Sequence, residues 1–246
     1  MKNNKQILLL GPGASTKRFK PSDVDKITTV SFSGNIDWFA SNNISCDYWT
    51  FLDPNSTLYF LENIKSGGYS KEWLSKIKDN TTILYNTFQG TDDFYNKGFT
   101  TSRGKQWNTN IFGGEILPEL CKYFKDVNTI PEYVNNNTYD SHYIDRDASA
   151  LVKHILDGTA YNTDKFICFV LPIVVSLFPE LRKVYSVGFG DFNEPRINTG
   201  TTLGYEGFIL SYNRMKTTLI DLLKHNNIEL EFINKNTYFK ELEWKK

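Results

Sequence analysis

Apolar residues fall along this chain in short runs, each stopped by small polar residues. Residues 7–10, Ile-Leu-Leu-Leu, lead straight into Gly11-Pro12-Gly13-Ala14-Ser15-Thr16, the pattern of a strand buried on both faces that ends in a tight turn. The β-branched run Ile27–Phe32 stops at Ser33-Gly34-Asn35, and 46–52 (CDYWTFL) stops at Asp53-Pro54-Asn55. Residues 81–85 predict a fourth strand and 183–189 (KVYSVGF) another, closed by Gly188-Phe189-Gly190-Asp191-Phe192. Over 228–233, Ile228, Leu230 and Phe232 alternate with Glu229 and Glu231, which predicts a strand near a sheet edge.

Helical spacing fills the intervals. A brief helix is expected over 36–42, and two more over 58–78, where Gly67-Gly68 breaks the apolar spacing of Leu61, Ile64, Trp73, Leu74 and Ile77. Phe208, Tyr212, Met215, Leu219 and Leu222 recur at steps of four and three, an amphipathic helix ending near Asn226-Asn227. Residues 165–178 (KFICFVLPIVVSLF) are apolar on every side and read as a central helix capped by Thr163 or Asp164 and kinked at Pro172, with a buried strand as the rival. From 87 to 162 the pattern loosens into Asn, Thr, Tyr and Asp, with one helix near 115–124. A stretch that long is expected to be a lid or small subdomain rather than plain loop. Strands alternating with helices predict an α/β fold: a Rossmann-like, mostly parallel sheet flanked by helices, in one domain over 1–246 with 87–162 inserted as a lid.

Composition narrows the function classes. The 246 residues are 40% hydrophobic, and 28 Lys and Arg balance 28 Asp and Glu, so net charge provides no general attraction to nucleic acid or to an anionic membrane. Three widely spaced cysteines, Cys46, Cys121 and Cys168, lack metal-ligand spacing and match reduced cytosolic thiols. The longest apolar run, 166–175, is too short to span a bilayer, and no signal-peptide core precedes the first strand. A cytoplasmic protein without a membrane span is expected.

If the strands are parallel, their endings gather at the carboxyl edge of one sheet, where open α/β folds bind ligands. Gly11 and Gly13 permit a tight turn and a close approach, Ser15 offers a hydroxyl, and Asn35 and Asp53 become ligand contacts. The turn is not a full G-x-G-x-x-G and lacks the lysine of a P-loop. Arg103, Lys105, Arg196 and Arg214 are available to meet an anionic ligand, and each reads more readily as a solvated surface charge.

The order ILLLGPGAST, VSFSGN, YWTFLDP, NTDKFICFVLPIVVSLFPELRKVYSVGFGDF and SYNRMKTTLIDLLKHNNIELEFINKNT resembles the bacterial sialyltransferase family typified by the Campylobacter lipooligosaccharide enzymes (family 42 glycosyltransferases), and the related flagellin-associated transferases of nonulosonic sugars. These segments cover about half the chain in the family's order. The resemblance implies a GT-A-like Rossmann variant, a nucleotide-sugar donor, no metal and no other cofactor, inversion at the transferred carbon, and a hydroxyl-bearing glycan or other acceptor. It places Gly11, Pro12, Gly13 and Ser15 at the nucleotide phosphate or ribose, and Asn35 and Asp53 at the donor or cytidine. Thr163 and Asp164 fall at the sugar or its carboxylate, Gly188 and Asp191 at the base and ribose. Pro12 stands where the family has asparagine, Asp164 where a serine is usual, and Gly190 interrupts Gly-x-Asp-Phe.

The family's catalytic histidine, shortly before the last helix, has no counterpart in TTLGYEGFILSYNR. Glu206, raised in pKa by burial beside Tyr205 and Phe208, is one candidate base, and His142 in YDSHYIDRD is another. Tyr205 and Tyr212 are candidate donors to the phosphate, with Arg214 beside them in sequence. Glu206 as a solvent-facing residue of a helix start, and His142 as part of a solvated loop, remain the plain alternatives. The function expected is a metal-independent glycosyltransferase using a CMP- or UDP-linked donor; the alternative is a non-catalytic Rossmann-like module that binds a nucleotide or a partner. A phosphotransferase is disfavoured by the missing lysine. A DNA acceptor and a homo-oligomer are compatible with the scaffold, although zero net charge does not favour DNA.

Overall fold

A computed structural model of the chain describes residues 3–19, 26–32, 35–51, 54–86, 99–100, 106–107, 116–130, 170–189, 193–195, 197, 216–217, 219–234 and 237–243. In chain order the strands are β1 (Asn3–Leu10), β2 (Ile27–Phe32), β3 (Tyr48–Phe51), β4 (Thr82–Asn86), β5 (Phe99–Thr100), β6 (Gln106–Trp107), β7 (Asp126–Ile130), β8 (Lys183–Val187) and β9 (Glu229–Phe232). The chain divides into two compact units, Met1–Asn35 with Asn135–Lys246, and Ile36–Val134. Of the two boundaries, the one at 134/135 falls inside 87–162, the segment expected to form a lid.

In the first unit the strand order is β2-β1-β8-β9, all parallel. Leu10 of β1 aligns with Ser31 of β2 and with Val187 of β8, so these three strands end level. Ile7, Leu8, Leu9 and Leu10 are each at most 2% exposed, which is why the run has no polar alternation: a central parallel strand is covered on both faces. β9 ends the order, as its alternation predicts. Its Leu230 and Phe232 are buried, and Lys183 Nζ lies 2.9 Å from Glu231 Oε2 across the β8–β9 pair. Residues 219–225 are helical, with Leu219, Leu222 and Leu223 buried, and the helix closes on Asn227 at φ 55°, where Ile228 N–H donates to the Leu223 carbonyl. Asparagine tolerates that left-handed position better than most residues.

Of the run read as helix or buried strand, Leu171–Leu177 is a helix that includes Pro172, and Val170 before it has helical φ and ψ; 165–169 lie outside the described residues. The candidate caps Thr163 and Asp164 lie outside the described residues.

In the second unit β3, β4 and β7 are parallel neighbours with β4 between. The helices Ile36–Ser41, Pro54–Lys65, Lys71–Asn80 and Ile116–Cys121 follow the expected positions, with 66–70 separating the middle pair around Gly67-Gly68. Strand β7 and the β5–β6 antiparallel pair lie within 87–162 beside the one helix marked there from sequence: Asp126–Ile130 adds a strand to the sheet beside β4. DVNTI carries only two strongly apolar residues, and its pairing with β4 supplies what its composition does not. The core is aromatic. Trp49, Trp73, Phe39, Phe60 and Phe124 are all at most 1% exposed, and Trp49 meets Phe39, Trp73 and Phe124 edge-on. Cys46 is buried and Cys121 exposed, both as free thiols. Among the described residues no helix is long and apolar enough to cross a membrane.

One polar cluster stands beside that core. Asp37 accepts hydrogen bonds from Tyr59 Oη at 2.7 Å and Tyr69 Oη at 2.9 Å. Burial, then the Asp37 carboxylate, push the Tyr69 phenol well above its ordinary value. The folded chain therefore keeps this proton where the unfolded chain, titrating near the ordinary phenol value of 10.0, releases it. Stability from this group is complete below that value and lost as the pH rises above it. Urea midpoints measured across alkaline pH should fall above that value in the wild type, and fall less steeply in Tyr69→Phe. An unchanged slope in the variant would remove Tyr69 as a source. Part of the decline remains in either protein because burial also raises Tyr48.

Candidate functional site at the carboxyl edge of the first unit

The chain leaves β1 on one side toward β2, and β8 lies on the other side of β1. Reversal of direction about β1 makes the β1/β8 carboxyl ends a topological switch point, the place where open α/β sheets leave a crevice. Gly11, Pro12, Gly13, Ser15, Asn35 and Gly188, singled out from sequence, are all brought to this edge. Asp53, Asp191, Thr163, Asp164, Glu206, His142, Tyr205, Tyr212 and Arg214 lie outside the described residues, as do Arg103, Lys105 and Arg196.

The glycines serve a close approach, and what approaches is the chain itself. Gly11 N–H donates to the Val187 carbonyl at 2.8 Å and Gly13 N–H to the Gly188 carbonyl at 3.0 Å. A Cβ on Gly11 would lie 2.6 Å from the Gly188 carbonyl carbon, and one on Gly13 2.8 Å from Glu194 Cδ. Gly188 has φ 75°, and a Cβ there would lie 2.9 Å from the Gly11 oxygen and strike Thr16 Oγ1. Thr16 Oγ1, fully buried, donates to the Gly11 carbonyl at 2.8 Å and so closes the turn from beneath.

Every amide of the turn has an acceptor within the chain. Besides Gly11 and Gly13, Ala14 N–H donates to the Pro195 carbonyl at 2.9 Å, Thr16 N–H to Gly13 at 3.1 Å, and Ser15 N–H to the Glu194 carboxylate; Pro12 has no amide hydrogen. Ile197 N–H returns a bond to the Pro12 carbonyl at 2.7 Å. Glu194, Pro195 and Ile197 thus lie against the turn, held by backbone bonds through Pro195 and Ile197. Backbone cradling of a phosphate, which a glycine turn suggests, is not what these amides do here.

Side chains supply the remaining polarity. Asn35, fully buried, donates through Nδ2 to the Leu10 carbonyl at 2.8 Å and to Ser31 Oγ at 3.2 Å, fixing it at the end of β1. Its Oδ1 has no hydrogen-bond partner. Ser15 Oγ, on a residue 7% exposed, also has none. Asn234, just past β9 and 8% exposed, donates to the Phe189 carbonyl at 2.8 Å, and its Oδ1 lacks a donor. Buried polar atoms are nearly always satisfied, so three partnerless oxygens after the carboxyl ends of β1, β2 and β9 call for an explanation. Thr16, Glu194 and Asn234 were not anticipated from sequence. Thr16 was legible as the hydroxyl closing GPGAST. Glu194 joins Ser15 across 179 positions, and no local pattern signals such a contact.

No family model matches the chain, and no curated protein matches it. Among solved structures it is similar to the sialyltransferase CstII from Campylobacter jejuni, solved in complex with the substrate analogue CMP-3FNeuAc. That similarity is 13% identity over 97% of this chain and 85% of that one, with a TM-score of 0.49.

Proposed function

We propose that the chain is a metal-independent, GT-A-like glycosyltransferase that moves a sugar from a CMP- or UDP-linked donor to a hydroxyl acceptor by direct displacement with inversion. The observation that carries it is the presence of Ser15, Asn35 and Asn234, each with a buried partnerless oxygen, after the carboxyl ends of β1, β2 and β9, along the edge that includes the β1/β8 switch point. Such a crevice takes a nucleotide, and hydroxyl and amide oxygens there accept from ribose, sugar or base donors.

In this scheme the acceptor oxygen attacks the anomeric carbon as the bond to the donor phosphate breaks. The acceptor proton passes to Glu206 or His142. Tyr205, Tyr212 and Arg214 stabilise the charge left on the departing nucleotide. Asp53, Thr163, Asp164, Gly188 and Asp191 complete the donor contacts, with 87–162 as a lid and the cytoplasm as the compartment. These assignments rest on the resemblance to sialyltransferases in sequence order.

Calorimetric titration with CMP and UDP, with and without EDTA, is expected to show binding that EDTA leaves unchanged. Asn35→Ala should weaken it about tenfold, by loss of one buried hydrogen-bonding group. Absence of binding by either nucleotide would overturn the proposal. A second reading, a binding module without catalysis, is favoured by one observation: the turn amides are all taken by the chain's own acceptors. Incubation with a CMP- or UDP-sugar alone distinguishes the two, since a pure binder leaves the donor intact where a transferase slowly hydrolyses it.

A further inference from the structure

We propose that Glu194 determines the specificity of the β1 turn: its carboxylate holds the position in which a glycine turn ordinarily meets a phosphoryl group. The turn therefore takes an uncharged, hydroxyl-bearing face of the ligand, and the ligand's phosphate lies elsewhere. The identity of that ligand rests on the nucleotide-sugar assignment above; the exclusion of phosphate does not.

Three observations converge on Glu194. Its Oε1 accepts the Ser15 N–H, the single amide of the turn that is bound by a side chain rather than by a backbone carbonyl. Its carboxyl group lies so close over Gly13 that a Cβ would sit 2.8 Å from Cδ, so the missing side chain at Gly13 makes room for this carboxylate. Finally, the backbone just after Glu194 is pinned to the turn twice, by Ala14 N–H on the Pro195 carbonyl and Ile197 N–H on the Pro12 carbonyl. A carboxylate so fixed occupies the amide that an incoming phosphate would need. Like charges brought together there are strongly disfavoured. A sugar or ribose hydroxyl meets the opposite situation: the carboxylate accepts from it, and Ser15 Oγ, buried and without a partner, is beside the same amide.

The test follows the Ser15 amide by NMR while inorganic phosphate is added to the full chain, and in parallel compares the affinities of cytidine and CMP by calorimetry. In the wild type, millimolar phosphate should leave the Ser15 resonance unmoved, and the CMP-to-cytidine affinity ratio should report only phosphate contacts made away from the turn. Glu194→Ala opens the position, so phosphate should shift Ser15 saturably and the CMP-to-cytidine affinity ratio should rise at least about tenfold. Glu194→Gln keeps the volume and an acceptor for Ser15 but removes the charge, so it should raise that ratio by a smaller factor; it serves also if the alanine variant does not fold. Phosphate shifting Ser15 in the wild type, or failing to do so in folded Glu194→Ala, would overturn the assignment of Glu194. An unchanged ratio in both variants would overturn it too. Should neither cytidine nor CMP bind any form, the nucleotide-sugar assignment falls, and the phosphate titration still judges Glu194.

Discussion

Gly188→Ala is expected to lower stability by about 3 kcal/mol, from a left-handed backbone that disfavours a Cβ and from overpacking against a fixed neighbour. The backbone contribution applies because φ is 75°, and the packing contribution because the new methyl would meet Thr16 Oγ1 and the Gly11 carbonyl. Thr16 cannot simply swing away: its hydroxyl is bonded to that same Gly11 carbonyl. Gly67 provides the control. It has φ 73° with nothing within 4 Å of where a Cβ would stand, so Gly67→Ala should show only the backbone part, about 1–2 kcal/mol. Urea midpoints of the two variants measure the difference, and equal losses would mean that Gly188 is not packed against the β1 turn as described. Because the same methyl would push apart β1 and β8 at their ends, Gly188→Ala should also abolish nucleotide binding where Gly67→Ala leaves it intact.

Trp73→Ala is expected to destabilise the second unit by about 3–5 kcal/mol, the range for emptying a large aromatic position in a core. Trp73 is fully buried, contacts the rings of Trp49 at 5.7 Å and Tyr69 at 4.9 Å between centroids, and donates from Nε1 to the Ile44 carbonyl at 2.8 Å. Truncation removes the contacts and leaves a buried carbonyl without its donor. Trp73→Phe keeps much of the ring volume and loses the hydrogen bond, so its loss should be about 1–2 kcal/mol. Urea unfolding followed by near-ultraviolet circular dichroism separates these outcomes. A Trp73→Phe loss as large as that of Trp73→Ala would show that the hydrogen bond, not the packed volume, is what the indole contributes.

The two variants mark two kinds of legibility. Trp73 was readable as a core residue because helical spacing placed it with Leu61, Ile64, Leu74 and Ile77, and the helix Lys71–Asn80 buries it. Gly188 was readable as a strand terminator, but its partner was not: the oxygen it would strike belongs to a turn at the other end of the chain. β7 escaped for a related reason. A strand with little apolar content is specified by the neighbour it pairs with, here Thr82–Asn86.

Local sequence was sufficient for the elements themselves, because burial on two faces demands unbroken apolar runs and helix faces demand steps of three and four. It determined β1, β2, β8, the edge character of β9, the split helices around Gly67-Gly68, and the carboxyl-edge position of Gly11–Ser15, Asn35 and Gly188. What only the tertiary structure decided is how that edge uses its polar groups. Hydrogen-bond partners distant along the chain are chosen by three-dimensional proximity, not by periodicity. So the turn amides go to Val187, Gly188, Pro195, Gly13 and the Glu194 carboxylate, while buried oxygens of Ser15, Asn35, Ser186 and Asn234 in the same unit have no hydrogen-bond partner.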